Sequence, residues 1–261
     1  SVYAFNAETF GPSSLLGRKD ATEVVLVREL DAALKRLNPK LAATPMGRTQ
    51  LGLARDALLD ADPTKTLLQH NETKWKQMRD GITLRSPSGN AAEDVHVKVM
   101  DFNNPGLNDF LVVRELWVKH GPYTKRCDIV GFVNGLPLVF IELKRHDKGL
   151  RAAYDDNYLD YRGAPDGSHE GSIPRLFHYN ALVIVSNGLD ARFGSITSSW
   201  DHFYRWKRLN EDDADPAPKH GESPLRPILP ILLRGMCTKG ALLDIVENFT
   251  LFDSSEEVTH K

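Results

Sequence analysis

The stretch Cys127–Arg145 constrains the fold more than any other part of the chain. It holds two apolar runs joined by Asn134-Gly135, a dipeptide suited to a tight hairpin because both residues tolerate positive φ. Strands are predicted over 127–133 and 138–144. Asp128 opens the first run, and Glu142 and Lys144 close the second. Side chains two apart in a strand share a face, so Glu142 and Lys144 project together while Ile141 and Leu143 turn the other way. Charges at the end of a buried strand are costly unless they are paired or metal-bound. These three are therefore the candidate site.

The geometry imposes a condition. A strict two-residue turn opposes Val133 to Leu136 and sets Asp128 against Ile141, on the wrong face. A bulge, or an odd-length loop with Gly135 left-handed, restores the match. Asp128 is expected to face the same side as Glu142.

The rest of the pattern supports a mixed α/β protein. A helix is expected from Asp20, where Asp20 and Glu23 have capping-box spacing and Val24, Val27, Leu30, Leu34 and Leu37 recur on one face until Pro39. Further helices are expected over Thr49–Leu59 and Lys65–Arg79, with Gly81 as a stop. Residues 1–20 read as an irregular lead-in. Strands are predicted over 95–99, 110–118, 181–186 and 191–197, and helical patterns over 150–162, 200–206 and 240–248. Residues 163–174 and the acidic, proline-containing 210–224 read as loops. These elements divide the chain into an N-terminal helical region (1–90), a core (91–253) and a tail (254–261).

Composition bears on partners and compartment. A net charge of −2 does not mark the whole chain as a nucleic-acid binder, so phosphate contact falls to a local patch. Lys119, Lys125, Arg126, Lys144, Arg145, Lys148 and Arg151 face only Asp128, Glu142 and Asp147 in the local sequence. Lys125, Arg126, Arg145, Lys148 and Arg151 are the candidate DNA-binding residues, reading phosphates rather than bases. Two cysteines exclude a disulfide framework and a four-cysteine zinc site. No run approaches the ~20 apolar residues of a membrane span. Ser1 to Glu8 lacks the marks of a signal peptide, and a cytoplasmic protein is expected.

Two carboxylates and a backbone carbonyl such as that of Leu143 suit a hard cation, Mg²⁺ with Mn²⁺ as a substitute. Such a cation lowers the pKa of a bound water and stabilises charge on a phosphoryl oxygen. Lys144 is placed to orient or deprotonate that water. That equipment hydrolyses phosphodiesters.

Asp128 followed by Val-Asn-Gly-Leu-Pro-Leu-Val-Phe-Ile-Glu-Leu-Lys (133–144) resembles the PD-(D/E)xK nuclease motif. More narrowly, it is similar to the N-terminal nuclease region of the type I restriction endonuclease motor subunit. Phe102-Asn-Asn-Pro with Asn108-Asp-Phe-Leu-Val-Val, Ala181-Leu-Val-Ile-Val-Ser-Asn-Gly with Ala191-Arg-Phe-Gly, and Leu242 to Phe252 extend the likeness. The resemblance implies a restriction-endonuclease-like core, with a mixed, mainly antiparallel sheet flanked by helices and an N-terminal helical extension. It implies Asp128 and Glu142 as metal ligands and Lys144 as catalytic lysine. It implies double-stranded DNA as substrate, separate specificity and modification subunits, and an ATP-driven motor beyond residue 253. The chain has no Gly-x-x-x-x-Gly-Lys-[Ser/Thr] run, so ATP is not expected to bind here.

The family's Gln-x-x-x-Tyr element matches Tyr161, with Asn157 in the glutamine's place. The pair is either an accessory of the site or part of an ordinary amphipathic helix. Glu23 is either a capping residue or an accessory acid. Two other functions share the site: a non-catalytic DNA-clamping or docking module of the same fold, and a repair or resolvase nuclease.

Overall fold

A computed structural model describes residues 2–4, 8–163, 170–210 and 227–252. The expected loop at 210–224 and the tail at 254–261 lie almost wholly outside the described residues.

The order is β1 (Val2–Ala4), α1 (Val27–Leu37), α2 (Pro39–Ala42), α3 (Pro45–Leu59), α4 (Leu67–Asp80), β2 (Ile82–Leu84), β3 (Val95–Val97), β4 (Phe110–His120), β5 (Tyr123–Val133) and β6 (Leu136–Leu143). A helix α5 over 150–162 follows, then β7 (Leu182–Ser186), β8 (Ala191–Gly194), α6 (Ile228–Met236) and α7 over 239–249. The central sheet runs β1-β4-β5-β6-β7-β8. Its β1–β4 and β6–β7 pairs are parallel and the others antiparallel. The β2 and β3 strands form a separate hairpin pair. This is the expected mixed, mainly antiparallel α/β sheet flanked by helices, a restriction-endonuclease-like fold.

One apolar cluster runs from Leu16 to Val246. Its central strand is β6, buried on both faces. Phe140 packs its ring against Tyr158, Tyr161 and Phe177, so α5 and the turn at 174–179 cover the face that also carries Glu142. At the other end of the hairpin, Leu26 N–H donates to the Gly135 carbonyl at 2.9 Å and docks the start of α1 on the turn.

Several expectations need correction. Residues 2–4 are a sheet strand rather than an irregular lead-in, too short to carry a readable period. The first helix begins at Val27, not Asp20. Asp20 accepts from the N–H and hydroxyl of Thr22, closing a turn, and Val24, Val25 and Leu26 are buried in succession outside the helix. Pro39 does not end the helical region. It opens α2, where a missing N–H costs nothing. The expected helix at 200–206 is a single 3₁₀ turn, Trp200–His202, after which Tyr204 pairs with Phe193 as a sheet bridge. The strands expected to reach 99 and 197 stop at Val97 and Gly194. Helix α6 has no counterpart in the sequence reading. Its Pro230 sits in the first turn, where the backbone N–H has no intrahelical partner.

Candidate active site

The β5–β6 hairpin sets the site. Asn134 and Gly135 both take positive φ, 51° and 80°, giving the tight two-residue turn. Val133 pairs with Leu136 and Phe132 with Pro137, but Gly131 then pairs with Val139. Leu138 is the extra residue of a β-bulge, and the shift carries through to Ile129 opposite Ile141. Asp128 therefore falls opposite Glu142, on the same face, as the chemistry required. Gly131 suits this crowded step, because a Cβ there would lie 3.1 Å from that of Val139.

The carboxylates are held differently. Asp128 is half-buried, and its Oδ2 accepts the Leu143 N–H at 2.8 Å, which ties it to the strand carrying Glu142. Glu142 is only 1 % exposed. Its Oε1 accepts a short hydrogen bond from Asn157 Nδ2, and its Oε2 is buried with no hydrogen-bond partner. Burial, then the Asp128 charge, push the Glu142 carboxyl up to about 8. Burial also raises Asp128, against the Leu143 N–H and the nearby Arg126 and Lys144 cations, which lower it.

Lys144 completes the group. Its Nζ donates to Asn157 Oδ1 at 2.6 Å. One amide thus holds both Glu142 and Lys144, although asparagine is a methylene shorter than the glutamine of the family element. Asn157 lies in a π-helical turn, Ala153–Tyr158, within α5. Such turns are common at functional sites. One turn on, Tyr161 donates its hydroxyl to the Arg126 carbonyl at 3.1 Å and sets its ring edge-on to Phe140.

Other candidates fall out differently. Glu23 binds the Lys19 N–H and pairs with its ammonium, and no contact joins it to Asp128 or Glu142. Its capping-box role is not realised, because the helix starts four residues later. The basic patch is less bare than the local sequence indicated. Lys125 pairs with Asp160 at 2.6 Å and Arg151 with Asp155 at 2.8 Å, while Arg145 pairs with Asp147. Both unforeseen acids come from α5. Such partly exposed pairs contribute ~0–1 kcal/mol each, so a phosphate can displace them. Among the described residues, Arg126 and Lys148 have no ion-pair partner.

One residue went unnoticed in the sequence. Arg114 pairs with Ile129 and Leu116 with Cys127, so Glu115 falls opposite Asp128. It has φ of 56° in the middle of a strand, and its charge opposes ionisation of Asp128. A non-glycine residue in that conformation costs about 1–3 kcal/mol. No sequence signal distinguishes it from an ordinary strand glutamate.

The donor set fits a hard divalent cation. Two carboxylates meet on one face, one with a buried oxygen that no protein group satisfies, and a lysine stands beside them. Among the described residues no three His, Cys, Asp or Glu side chains converge as a closed cage. An incomplete protein ligand set is usual for Mg²⁺, which keeps several waters. Two cavities of about 600 and 590 Å³ elsewhere in the molecule are lined by other residues. No helix among the described residues is long and apolar enough to cross a membrane.

Comparison with known proteins places the chain in a family. Residues 5–202 match the family described as type I restriction enzyme R protein N terminus. The chain is 31 % identical over 242 residues to the type I restriction enzyme HindI endonuclease subunit of Haemophilus influenzae, covering 90 % of this chain and 21 % of that protein. It is 25 % identical over 255 residues to a putative type I restriction enzyme MjaIXP endonuclease subunit of Methanocaldococcus jannaschii, covering 92 % and 23 %. A match to the EcoprrI endonuclease subunit of Escherichia coli, 28 % identical, covers 62 % of this chain and 47 % of the relative. The chain thus spans about a fifth of the length of the first two relatives. With the matched region containing the β5–β6 hairpin and its three polar groups, the chain belongs to the family of type I restriction enzyme R protein N termini.

Proposed function

We propose that this chain is the DNA-cutting module of a type I restriction enzyme, a Mg²⁺-dependent endonuclease without sequence readout of its own. Asp128 and Glu142, with the Leu143 carbonyl, hold the cation, and Mn²⁺ can replace Mg²⁺. The observation that carries the reading is the buried, unpartnered Glu142 Oε2 beside Asp128. A buried carboxylate left half-satisfied is expensive unless a proton or a cation covers it. When bound, that cation supplies a water of lowered pKa and stabilises charge on the phosphoryl oxygen.

The protein groups do the rest. Asn157 fixes the Lys144 ammonium on the Glu142 side, where it can orient the attacking water and offset charge in the transition state. Arg126 and Lys148, joined by Lys125, Arg145 and Arg151 once their pairs open, hold the backbone phosphates. Sequence choice belongs to specificity and modification subunits, and ATP to a motor domain elsewhere in the full-length protein.

Calorimetric titration with Mg²⁺ or Mn²⁺ tests the centre directly. Wild type is expected to bind and Asp128→Ala to lose at least about tenfold in affinity. Plasmid cleavage is the second readout, and full cutting by an Asp128→Ala/Glu142→Ala/Lys144→Ala variant would sink the proposal. Cation-independent DNA binding by wild type, with no measurable metal affinity, would point to a clamping module instead. Asn157→Ala is expected to weaken cation binding and cutting by about 10–100-fold, the usual effect of removing a group that orients a ligand. Unchanged cation affinity and cutting rate in that variant would show that the amide does not position Glu142 and Lys144.

A further inference from the structure

The N-terminal end of α4 borders a cavity of about 590 Å³, remote in sequence from the hairpin site. Its wall carries Lys65, His70, His120, Arg162, Arg175 and His178. Its standing cations are Lys65, Arg162 and Arg175, and Asp60 and Asp62 oppose them. Asp62 is partly committed, accepting from the N–H and hydroxyl of Thr64.

Beneath the wall lies a further buried cation without an ion pair. Lys74 lies one turn along α4 from His70 and is 2 % exposed. Its ammonium donates to the Ala57 carbonyl at 2.9 Å, and among the described residues no carboxylate pairs with it. His70 and His178 are also buried, and their rings stack at 4.1 Å between centroids, 12° from parallel. His70 Nε2 donates to the Asp62 carbonyl at 2.8 Å, while the His178 ring makes no hydrogen bond to a described residue. Burial lowers His70, and burial, then the neighbouring His70, lowers His178 to about 3, so both imidazoles are neutral. Burial lowers Lys74 to about 8, with Lys65 and Arg175 acting in the same sense and Asp60 against it. The groups that Lys74 feels all border the cavity.

A buried cation held by no ion pair is costly, and a cleft with an excess of one sign of charge focuses its field on whatever enters. Helix α4 adds the positive end of its dipole at Thr66 and Leu67, which also line the opening. The cavity volume suits a ligand larger than a simple halide.

We infer that this cavity binds a phosphate-bearing anion, held by Lys65 and Arg175 at the rim and by the His178 imidazole inside. The inference does not depend on the nuclease reading, since none of these residues belongs to that site. The phosphate comes either from a free pyrophosphate-like ligand or from the backbone of DNA running past the cavity.

Calorimetry on the whole chain in EDTA separates the sources, with inorganic pyrophosphate in one arm and a short DNA duplex in the other. Lys65→Ala/Arg175→Ala is the test variant, because both residues are exposed and Lys65 gives up only a surface hydrogen bond to Thr73. Binding of pyrophosphate that weakens at least tenfold in the variant supports a small-ligand site. Duplex binding that weakens tenfold, without pyrophosphate binding, supports a backbone contact. In either case the His178 ring signals in NMR are expected to shift on binding. No binding in either arm, or binding that the variant leaves unchanged, overturns the inference.

Discussion

Metal-free protein carrying Glu142→Gln is expected to melt higher than wild type near pH 8, although the same substitution impairs the proposed cutting. In the folded chain Glu142 holds its proton up to about 8, whereas in the unfolded chain it loses it in the ordinary carboxylate range, near 4.5. Between those values the folded state binds more protons than the unfolded state. Stability therefore falls as pH rises through the window and stays lower above it. Below the window both states are protonated and the group contributes nothing. Glutamine cannot ionise, so its advantage grows from nil near pH 4 to on the order of a few kcal/mol near pH 8. Adding Mg²⁺ is expected to restore the wild type, because the cation replaces the proton, and to leave the variant unmoved. Cutting is expected to fall by about 10³-fold. Melting curves across pH with EDTA or Mg²⁺ check the thermodynamic half. Parallel curves for wild type and variant would mean that Glu142 is not held in its neutral form by burial.

What the sequence revealed, and what it hid, follows from how far apart the cooperating residues lie. The β5–β6 hairpin was legible because Asn134-Gly135 and the apolar runs around it are local signals. The bulge at Leu138 has no local signal, since an apolar residue fits either register. It emerged only from requiring Asp128 and Glu142 to share a face. Asn157 could be matched to a helix position, but its double hydrogen bond to Glu142 and Lys144 could not be read. The π-helical turn around it changes the phase on which helical spacing arguments rest. The local charge count around the motif missed Asp155 and Asp160 because those acids arrive with α5. Glu115 reaches Asp128 only through the β4–β5 register. The start of α1 was misjudged for a related reason. Asp20 and Glu23 have capping spacing, but Val24, Val25 and Leu26 are needed in the core before the helix begins, and burial overrode the local preference.

The second large effect is structural: Gly135→Ala is expected to destabilise the protein by on the order of 3 kcal/mol. Two terms add. At φ of +80° any side chain is strained, at a cost of about 1 kcal/mol. A Cβ at that position would also lie 2.4 Å from the Leu26 carbonyl oxygen and 2.9 Å from the Leu30 nitrogen. Both are backbone atoms at the start of α1, so no side chain can swing away, and overpacking of this kind typically costs about 1–3 kcal/mol. The turn cannot retreat either. Asn134 is fully buried, donating to the Val99 carbonyl and to Asn108 Oδ1 and accepting the Asp109 N–H. For a chain of this size the expected fall in melting temperature is roughly 10 °C. Gly188→Ala supplies the control, because Gly188 has φ of +88° but nothing within 4 Å of its would-be Cβ. Strain alone predicts about 1 kcal/mol there. Equal losses at the two glycines would show that α1 yields freely, and that its docking on the hairpin does not hold the turn from which the Asp128–Glu142 register is counted.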